Sequence, residues 1–427
     1  MEEEQPQPDD PARDHTAAQY KRPRSDSGSS TSVESLHSTR SLRSDDLEFI
    51  HENDRIYGNS VYYMPCDQAE QDRLAILHQV FTYALKGKLT TTNVSHATRR
   101  ILDVGTGPGH WAVAMAEQYP HAEVVGVDMA VWDLDMTEED VGSSRVIWEI
   151  DDLDVWGTEA DMDALNSRLK RYDPFRDHTA PLHSPSRSKF RLSDPHAPLQ
   201  PHSPTTEPSF NPYILDPEDQ PGWHFSDSFD LIHARNMRGT FADWEDFYAE
   251  VYKHLSPGGW VEIADYELAM PQIPEVNDEP GEPSTNQPPL PTLRRIILAM
   301  MQASFKAGRP LGTYYMHPTY LQDAGFKDVR TTYVNVPVGQ WPDDEEQKRI
   351  GKMFLVVLME SMEAQLLRLL TTTGDDERVW TPEEVRLEVE KAKLEIFEWA
   401  EGLDGKLKGV TWCASFKWVV GRKSKTA

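Results

Sequence analysis

Asp103, Gly105, Thr106, Gly107 and Gly109 fall within one short stretch, Ile101-Leu102-Asp103-Val104-Gly105-Thr106-Gly107-Pro108-Gly109-His110-Trp111, whose residue types describe a turn built to hold a ligand. Glycines at alternate positions let backbone approach a bound group without Cβ interference. A helix opening just after them offers free N–H groups and a positive dipole end to an anion. The apolar run before the loop reads as a buried strand. A second run, Ala122-Glu123-Val124-Val125-Gly126-Val127-Asp128, ends in an acid about 20 residues past the loop, where nucleotide-binding βαβ units hold ribose hydroxyls.

Spacing separates the ligands that use such a turn. The dinucleotide fingerprint requires Gly or Ala at its sixth position, for close helix packing over a pyrophosphate, and here that position is His110. Asp103 before the loop is unfavourable beside a pyrophosphate and favourable beside an ammonium group. S-adenosylmethionine carries an ammonium, a sulfonium and one carboxylate and has no phosphate, so it fits this mixture of acids and backbone donors. A glycine loop alone is equally a tight turn; strand, loop, helix, strand and terminal acid in order make the ligand reading specific.

The elements that must position these residues are legible from periodicity. A helix begins at Asp67, with Glu70 three residues on as capping-box partner, and it places Leu74, Leu77, Phe81, Ala84 and Leu85 on one face. Residues 145–150 read as a third strand, ending at Asp151 and Asp152. Three βα steps imply a doubly wound parallel sheet of the α/β class. A fourth strand spans residues 229–233. The helix after it is capped by Asp243 and gathers Trp244, Phe247, Tyr248, Val251 and Leu255 on one side, and Pro257-Gly258-Gly259 turns the chain into a fifth strand at 260–265. Residues 293–305 read as helix and 329–336 as strand. Residues 353–370 are apolar nearly all round, as a helix buried between layers would be, and Thr381-Pro382-Glu383-Glu384 combines an N-cap, an N1 proline and an N3 acid. The last strand, 410–420, is rich in β-branched and aromatic residues and pairs antiparallel.

Composition divides the 427 residues. Residues 1–45 hold one aromatic, Tyr20, among Ser, Arg, Asp and Pro, and read as a disordered tail ahead of a folded domain at 46–427. Its Lys21-Arg22-Pro23-Arg24 cluster is of the kind that acts as a nuclear address, Ser25 to Ser35 are phosphorylatable, and a plain solvated tail is the competing reading. Residues 157–221 contain eleven prolines and no sustained period, so they read as an irregular insertion, with His178, His183, His196 and His202 solvated rather than metal-binding. Residues 271–292 form a second Pro-rich, acidic loop. A net charge of −28 argues against direct binding of nucleic acid. No apolar run approaches a membrane span and no signal peptide precedes the polar start, so an intracellular protein is expected. Cys66 and Cys413 are too few for a disulfide framework.

The segment Glu52-Asn53-Asp54-Arg55-Ile56-Tyr57, followed by Tyr63-Met64-Pro65-Cys66-Asp67-Gln68-Ala69-Glu70-Gln71-Asp72-Arg73-Leu74 and His78, resembles the N-terminal segment of fungal LaeA-like methyltransferases. Phe229-Asp230-Leu231-Ile232-His233, Leu255-Ser256-Pro257-Gly258-Gly259-Trp260-Val261-Glu262 and Leu321-Gln322-Asp323-Ala324-Gly325-Phe326 match further blocks in order, so the resemblance covers residues 50–422. Departures are the Gly-Thr-Gly-Pro-Gly loop, Asp54 in place of a usual glycine, and the absence of proline in Met129-Ala130-Val131-Trp132. The family includes velvet-associated regulators of secondary metabolism and development, such as the VipC and VapB type, and enzymes of natural-product clusters.

The resemblance implies a class I, Rossmann-like methyltransferase fold with a final antiparallel strand and added helices, using S-adenosyl-L-methionine. Gly105, Thr106, Gly107 and Gly109 would line the methionine portion, with Asp103 beside them. Asp128 would take the ribose hydroxyls and Met129 would pack on adenine. Asp152 would accept from the adenine amino group, with Asp151 as the alternative, and His233 would border the cofactor. Tyr57 and Tyr63 either close over the site or belong to the core. Methyl transfer needs no dedicated base; if the acceptor requires one, His233, Asp265, Tyr266 and His317 are unranked candidates. Three functions follow: a regulatory methyltransferase with velvet-type partners in cytoplasm or nucleus, a tailoring enzyme for a small secondary metabolite, and a cofactor-binding scaffold without turnover. The methyl acceptor, small molecule or protein, is open.

Overall fold

The chain first turns back on itself in a hairpin, β1 (Ile50–Glu52) and β2 (Arg55–Tyr57), in a computed structural model that describes residues 49–132, 145–154, 222–223, 225–271, 289–401 and 412–426. The 1–45 tail with its basic cluster and serines, the 157–221 insertion with its histidines, and most of the 271–292 loop lie outside the described residues. Asn53 and Asp54 form the two-residue turn with φ of 53° and 63°. Asn and Asp tolerate this left-handed region because their short side chains can hydrogen-bond locally. The hairpin was not expected from sequence, because its strands are three residues each.

Asp67 joins the hairpin to α1 (Gln68–Ala84). Its carboxylate accepts from Arg55 Nε and Nη2 at 2.6 and 2.9 Å and caps the helix by accepting from the Glu70 amide at 3.2 Å. The reciprocal half of the expected capping box is absent. The Glu70 carboxylate turns instead to Arg73 one turn on, at 2.6 and 2.8 Å, in a pair that is almost wholly buried. A reciprocal box does form at α7 (Pro382–Glu401). There the Glu384 amide donates to Thr381 Oγ1 and the Thr381 amide donates to Glu384.

Strands β3 (Arg100–Val104), β4 (Glu123–Asp128), β5 (Val146–Ile150), β6 (Phe229–Arg235), β7 (Leu255–Leu268), β8 (Lys327–Pro337) and β9 (Cys413–Arg422) make one sheet in the order β5-β4-β3-β6-β7-β9-β8. The first five run parallel. The last, β9, inserts antiparallel between β7 and β8, as its position and composition imply. β7 begins earlier than expected. Pro257-Gly258-Gly259 is absorbed into it at a register slip against β6, with Gly258 at φ 86° and the Gly258 amide donating to the Lys423 carbonyl.

Helices α2 (His110–Gln118), α3 (Trp244–His254), α4 (Pro291–Lys306), α5 (Pro318–Asp323) and α6 (Glu345–Thr372) complete the layers with α1 and α7. α3, capped by Asp243 through two backbone amides, and α5 bury one face of the sheet around Trp244, Phe247 and Tyr315. α1, α4, α6 and α7 cover the other face around Phe81, Phe354, Phe416 and Trp418. α6 is buried on most sides, which explains its loss of a clear polar face. Strand order reverses on either side of β3, so the β3 carboxyl end is the switch point at which open α/β sheets take ligands.

Candidate cofactor site and an adjoining cavity

The glycine loop leaves β3 at that switch point. Gly105, Gly107 and Gly109 have φ of 63°, 58° and 81°, the left-handed region that excludes most side chains. Their surroundings differ. A Cβ on Gly109 would stand 2.2 Å from the Trp148 ring and one on Gly105 would stand 2.5 Å from Met237 Sδ, whereas one on Gly107 would meet nothing nearer than 3.8 Å. Gly109 is therefore a packing glycine beneath the helix, while Gly107 has room for a Cβ, with Trp132 and Leu74 at ordinary contact distance, and borders an open space.

That space is a cavity lined by the loop (Asp103 to Pro108), by Asp128 to Ala130 and Trp132 after β4, by Asp151 to Asp154 after β5, and by Arg235 to Arg238 after β6. Four strand ends thus meet at one place. The Asp128 carboxylate accepts from the Gly107 amide at 2.8 Å and from the Ala130 amide at 2.9 Å, so it fixes the loop and still offers lone pairs toward the cavity. Burial raises its pKa, opposed by those two amides. Met129, Asp151 and Asp152 all line the cavity, and Asp152 also accepts from the Asp154 amide at 3.0 Å. Asp154, not anticipated, is paired with Arg309 at 2.5 Å.

Three sequence-derived site residues sit otherwise than expected, Gly109, which packs against Trp148 outside the cavity lining, and two more. Asp103 borders the cavity, yet both its oxygens are engaged from within, one by Thr106 Oγ1 and one by His233 Nδ1, each at 2.8 Å. His233 is 1% exposed, stacked on Trp111 with ring centres 3.7 Å apart, and outside the cavity lining. It stands behind Asp103 because residues on neighbouring parallel strands pair in register, Asp103 with His233. Of the remaining base candidates, Asp265 is fully buried and accepts from Tyr315 at 2.6 Å, and His317 caps α5 through the Thr319 amide. Neither is in the lining of this cavity. Tyr57 is a core residue beneath Arg368, while Tyr63 lines the site.

Several cavity residues were not recognised as such in the sequence. Tyr62, Met64 and Cys66 come from the strap before α1, beside Tyr63, for which a place over the site was one of two expectations, and Glu70, Arg73, Leu74 and His78 come from α1 itself. Arg368 of α6 holds the strap in place, donating to the Asn59 and Tyr62 carbonyls at 2.7 and 2.9 Å. Arg73 Nη1 is buried without a hydrogen-bond partner at the cavity wall. Arg235 is a second, half-buried cation, with no carboxylate within 4.0 Å among the described residues; desolvation lowers its pKa to about 10. Its polar contact is His78 Nδ1 at 3.3 Å. Burial, helped by Arg235, His110 and His233, lowers the His78 pKa to about 3, so the imidazole is neutral and can accept. The signal in sequence was the spacing of Glu70, Arg73 and His78 along the face of α1 that also carries Leu74, Leu77 and Phe81, which by itself cannot say which cavity they face.

A second cavity adjoins the first and shares Arg238 and Gln365 with it. It lies between β7, α4 and α6.

A sheet of this order, with its glycine loop, acid-terminated β4 and cavity at the switch point, defines the Rossmann-like methyltransferase class. Residues 76–292, half of the chain, match the family described as a methyltransferase domain. The secondary metabolism regulator LAE1 of Cochliobolus heterostrophus is 30% identical over 75% of this chain and 81% of its own length. The protein-methionine methyltransferase laeA of Emericella nidulans is 26% identical over 78% and 68%. The chain belongs to the LaeA-like branch of the methyltransferase domain family. Among solved structures, a Haemonchus contortus phosphoethanolamine N-methyltransferase 2 aligns at 14% identity and TM-score 0.34, over 86% of this chain and 55% of that one.

S-adenosylmethionine is the cofactor of this family, and the residues present fit it. The open approach over Gly107, the Asp128 carboxylate, and the unpartnered buried Nη1 of Arg73 suit a molecule with ribose hydroxyls and one carboxylate. No helix among the described residues is long and apolar enough to cross a membrane.

Proposed function

We propose that this chain is a regulatory methyltransferase of the LaeA type, acting on fungal secondary metabolism or development, with velvet-type proteins as partners in cytoplasm or nucleus. The carrying observation is a cavity at the switch point, lined by the glycine loop and Asp128, in a chain 30% identical to a protein described as a secondary metabolism regulator.

When bound, S-adenosylmethionine supplies a methyl group on a cationic sulfur, already activated for displacement. The chain supplies position and electrostatics. Asp128 would hold the ribose end while fixing Gly107, and Met129 and Trp132 would flank the base. Asp151 or Asp152 would accept from its amino group. Arg73 and Arg235 would bind the carboxylate, with His78 held neutral beside them. Asp103 acts one step back, holding Thr106 and the loop. Tyr62, Tyr63 and Met64 roof the site and exclude water. Asp265, His233 and His317 are engaged elsewhere, and of the four base candidates Tyr266 lines the cavity that adjoins the cofactor site.

Deletion of the gene should change transcripts of several unlinked metabolite or developmental genes, and a Gly107→Val protein of normal circular dichroism should fail to restore them. One metabolite halted at an unmethylated precursor, with other transcripts unchanged, would instead favour a tailoring enzyme. Full rescue by a variant that has lost the cofactor would leave the scaffold.

A further inference from the structure

We infer that the second cavity is the methyl-acceptor site, and that it takes a small, uncharged, apolar molecule; this deepens the methyltransferase reading and rests on it. The cavity shares Arg238 and Gln365 with the cofactor site, so an acceptor seated in it meets the cofactor cavity at that common wall. Its other walls are mostly apolar: Leu293, Ile296, Met300 and Met301 from α4, and Leu358 and Met362 from α6. Methionine walls adapt to ligand shape at little cost.

The two charged side chains of the lining, Arg238 and Glu267, are already engaged, and this sets the charge of the acceptor. Arg238 lies 3.3 Å from the fully buried Asp265 carboxylate and stacks over the Tyr266 ring at 4.5 Å. Asp265 is itself held by Tyr315. Glu267 accepts from Thr313 at 3.2 Å, and Ser361 donates to the Leu358 carbonyl at 2.9 Å. A charged acceptor would have to be desolvated with no counter-charge free to receive it, whereas an apolar one loses nothing. The cavity is also set between secondary-structure elements rather than spread over a surface, which suits a molecule that enters whole.

The test uses the full-length protein and two readouts. S-adenosylhomocysteine binding is followed by calorimetry, and occupancy of the second cavity by saturation-transfer NMR with toluene as a single-ring apolar probe. Toluene should bind the wild type and be lost, at least tenfold weaker, in Met300→Trp, which fills the cavity. S-adenosylhomocysteine binding should change less than threefold in that variant, and Met300→Leu should retain both. In parallel, labelled methyl groups from S-adenosylmethionine should pass, with the wild type and not with Met300→Trp, into the solvent-extractable fraction of a fungal extract. Toluene binding that is absent, or unaffected by Met300→Trp, overturns the cavity assignment; so does label that enters only precipitated protein. Failure of the wild type to bind S-adenosylhomocysteine overturns the methyltransferase reading instead, so the two failures are distinct.

Discussion

His233 Nδ1 lies 2.8 Å from Asp103 Oδ1 across the β3–β6 pair, and this contact, sealed by Trp111, supports the glycine loop from behind. Asp103 spends its other oxygen on Thr106, so the loop, the strand end and β6 are one hydrogen-bonded unit. Replacing His233 by Ala leaves a buried carboxylate short of a donor and removes a stacked ring. We expect a loss of about 2–4 kcal/mol in urea unfolding. S-adenosylhomocysteine affinity should fall with it. His233→Ala with unchanged stability would show that Asp103 holds the loop alone.

Asp128→Ala removes the acceptor for two backbone amides as well as the ribose contact. Affinity for S-adenosylhomocysteine should drop by about 10- to 100-fold, equivalent to about 1.5–3 kcal/mol for a charge-assisted contact. Calorimetry giving wild-type affinity would place the adenosine end elsewhere.

Glycine substitutions should separate folding from binding. Gly109→Ala drives a Cβ to 2.2 Å from Trp148, whereas Gly107→Ala meets only the local strain of positive φ. Thermal melting should fall further for Gly109→Ala, and Gly107→Ala should lose cofactor affinity with a smaller change in stability. The reverse order would mean that the loop moves on binding.

Breaking the Glu70–Arg73 pair exposes the cost of a buried charge. Arg73→Met strands the Glu70 carboxylate and should destabilise by about 3–5 kcal/mol, and adding Glu70→Gln should recover part of that. Cofactor affinity should not return in the double variant. Its full return would remove Arg73 from the carboxylate site.

Acid should weaken the fold through His78. Its pKa is lowered from 6.5 in the unfolded chain to about 3 in the folded one, so between those values the unfolded state binds a proton that the native state does not. Stability contributed by the neutral ring is present above about pH 6.5 and declines as pH falls toward 3. His78→Gln should flatten urea-unfolding free energy against pH in that window; an unchanged slope would mean that the ring titrates normally.

Periodicity and turn chemistry were enough for the parallel strands, the caps at Asp67, Asp243 and Thr381, and the antiparallel closing strand, because each rests on residues close together in the chain. The glycine loop and Asp128 were legible for the same reason: one βαβ unit holds them about 20 residues apart. Tertiary structure alone decided the rest. Register across β3 and β6 put His233 behind Asp103 instead of beside the ligand. Glu70 chose Arg73 over its own helix end because both became buried, and a buried carboxylate requires a donor of opposite charge. The strap at 58–66, the cations Arg73, Arg235 and Arg238, and Gln365 of α6 converge from segments up to about 300 residues apart, a separation over which no sequence spacing carries information.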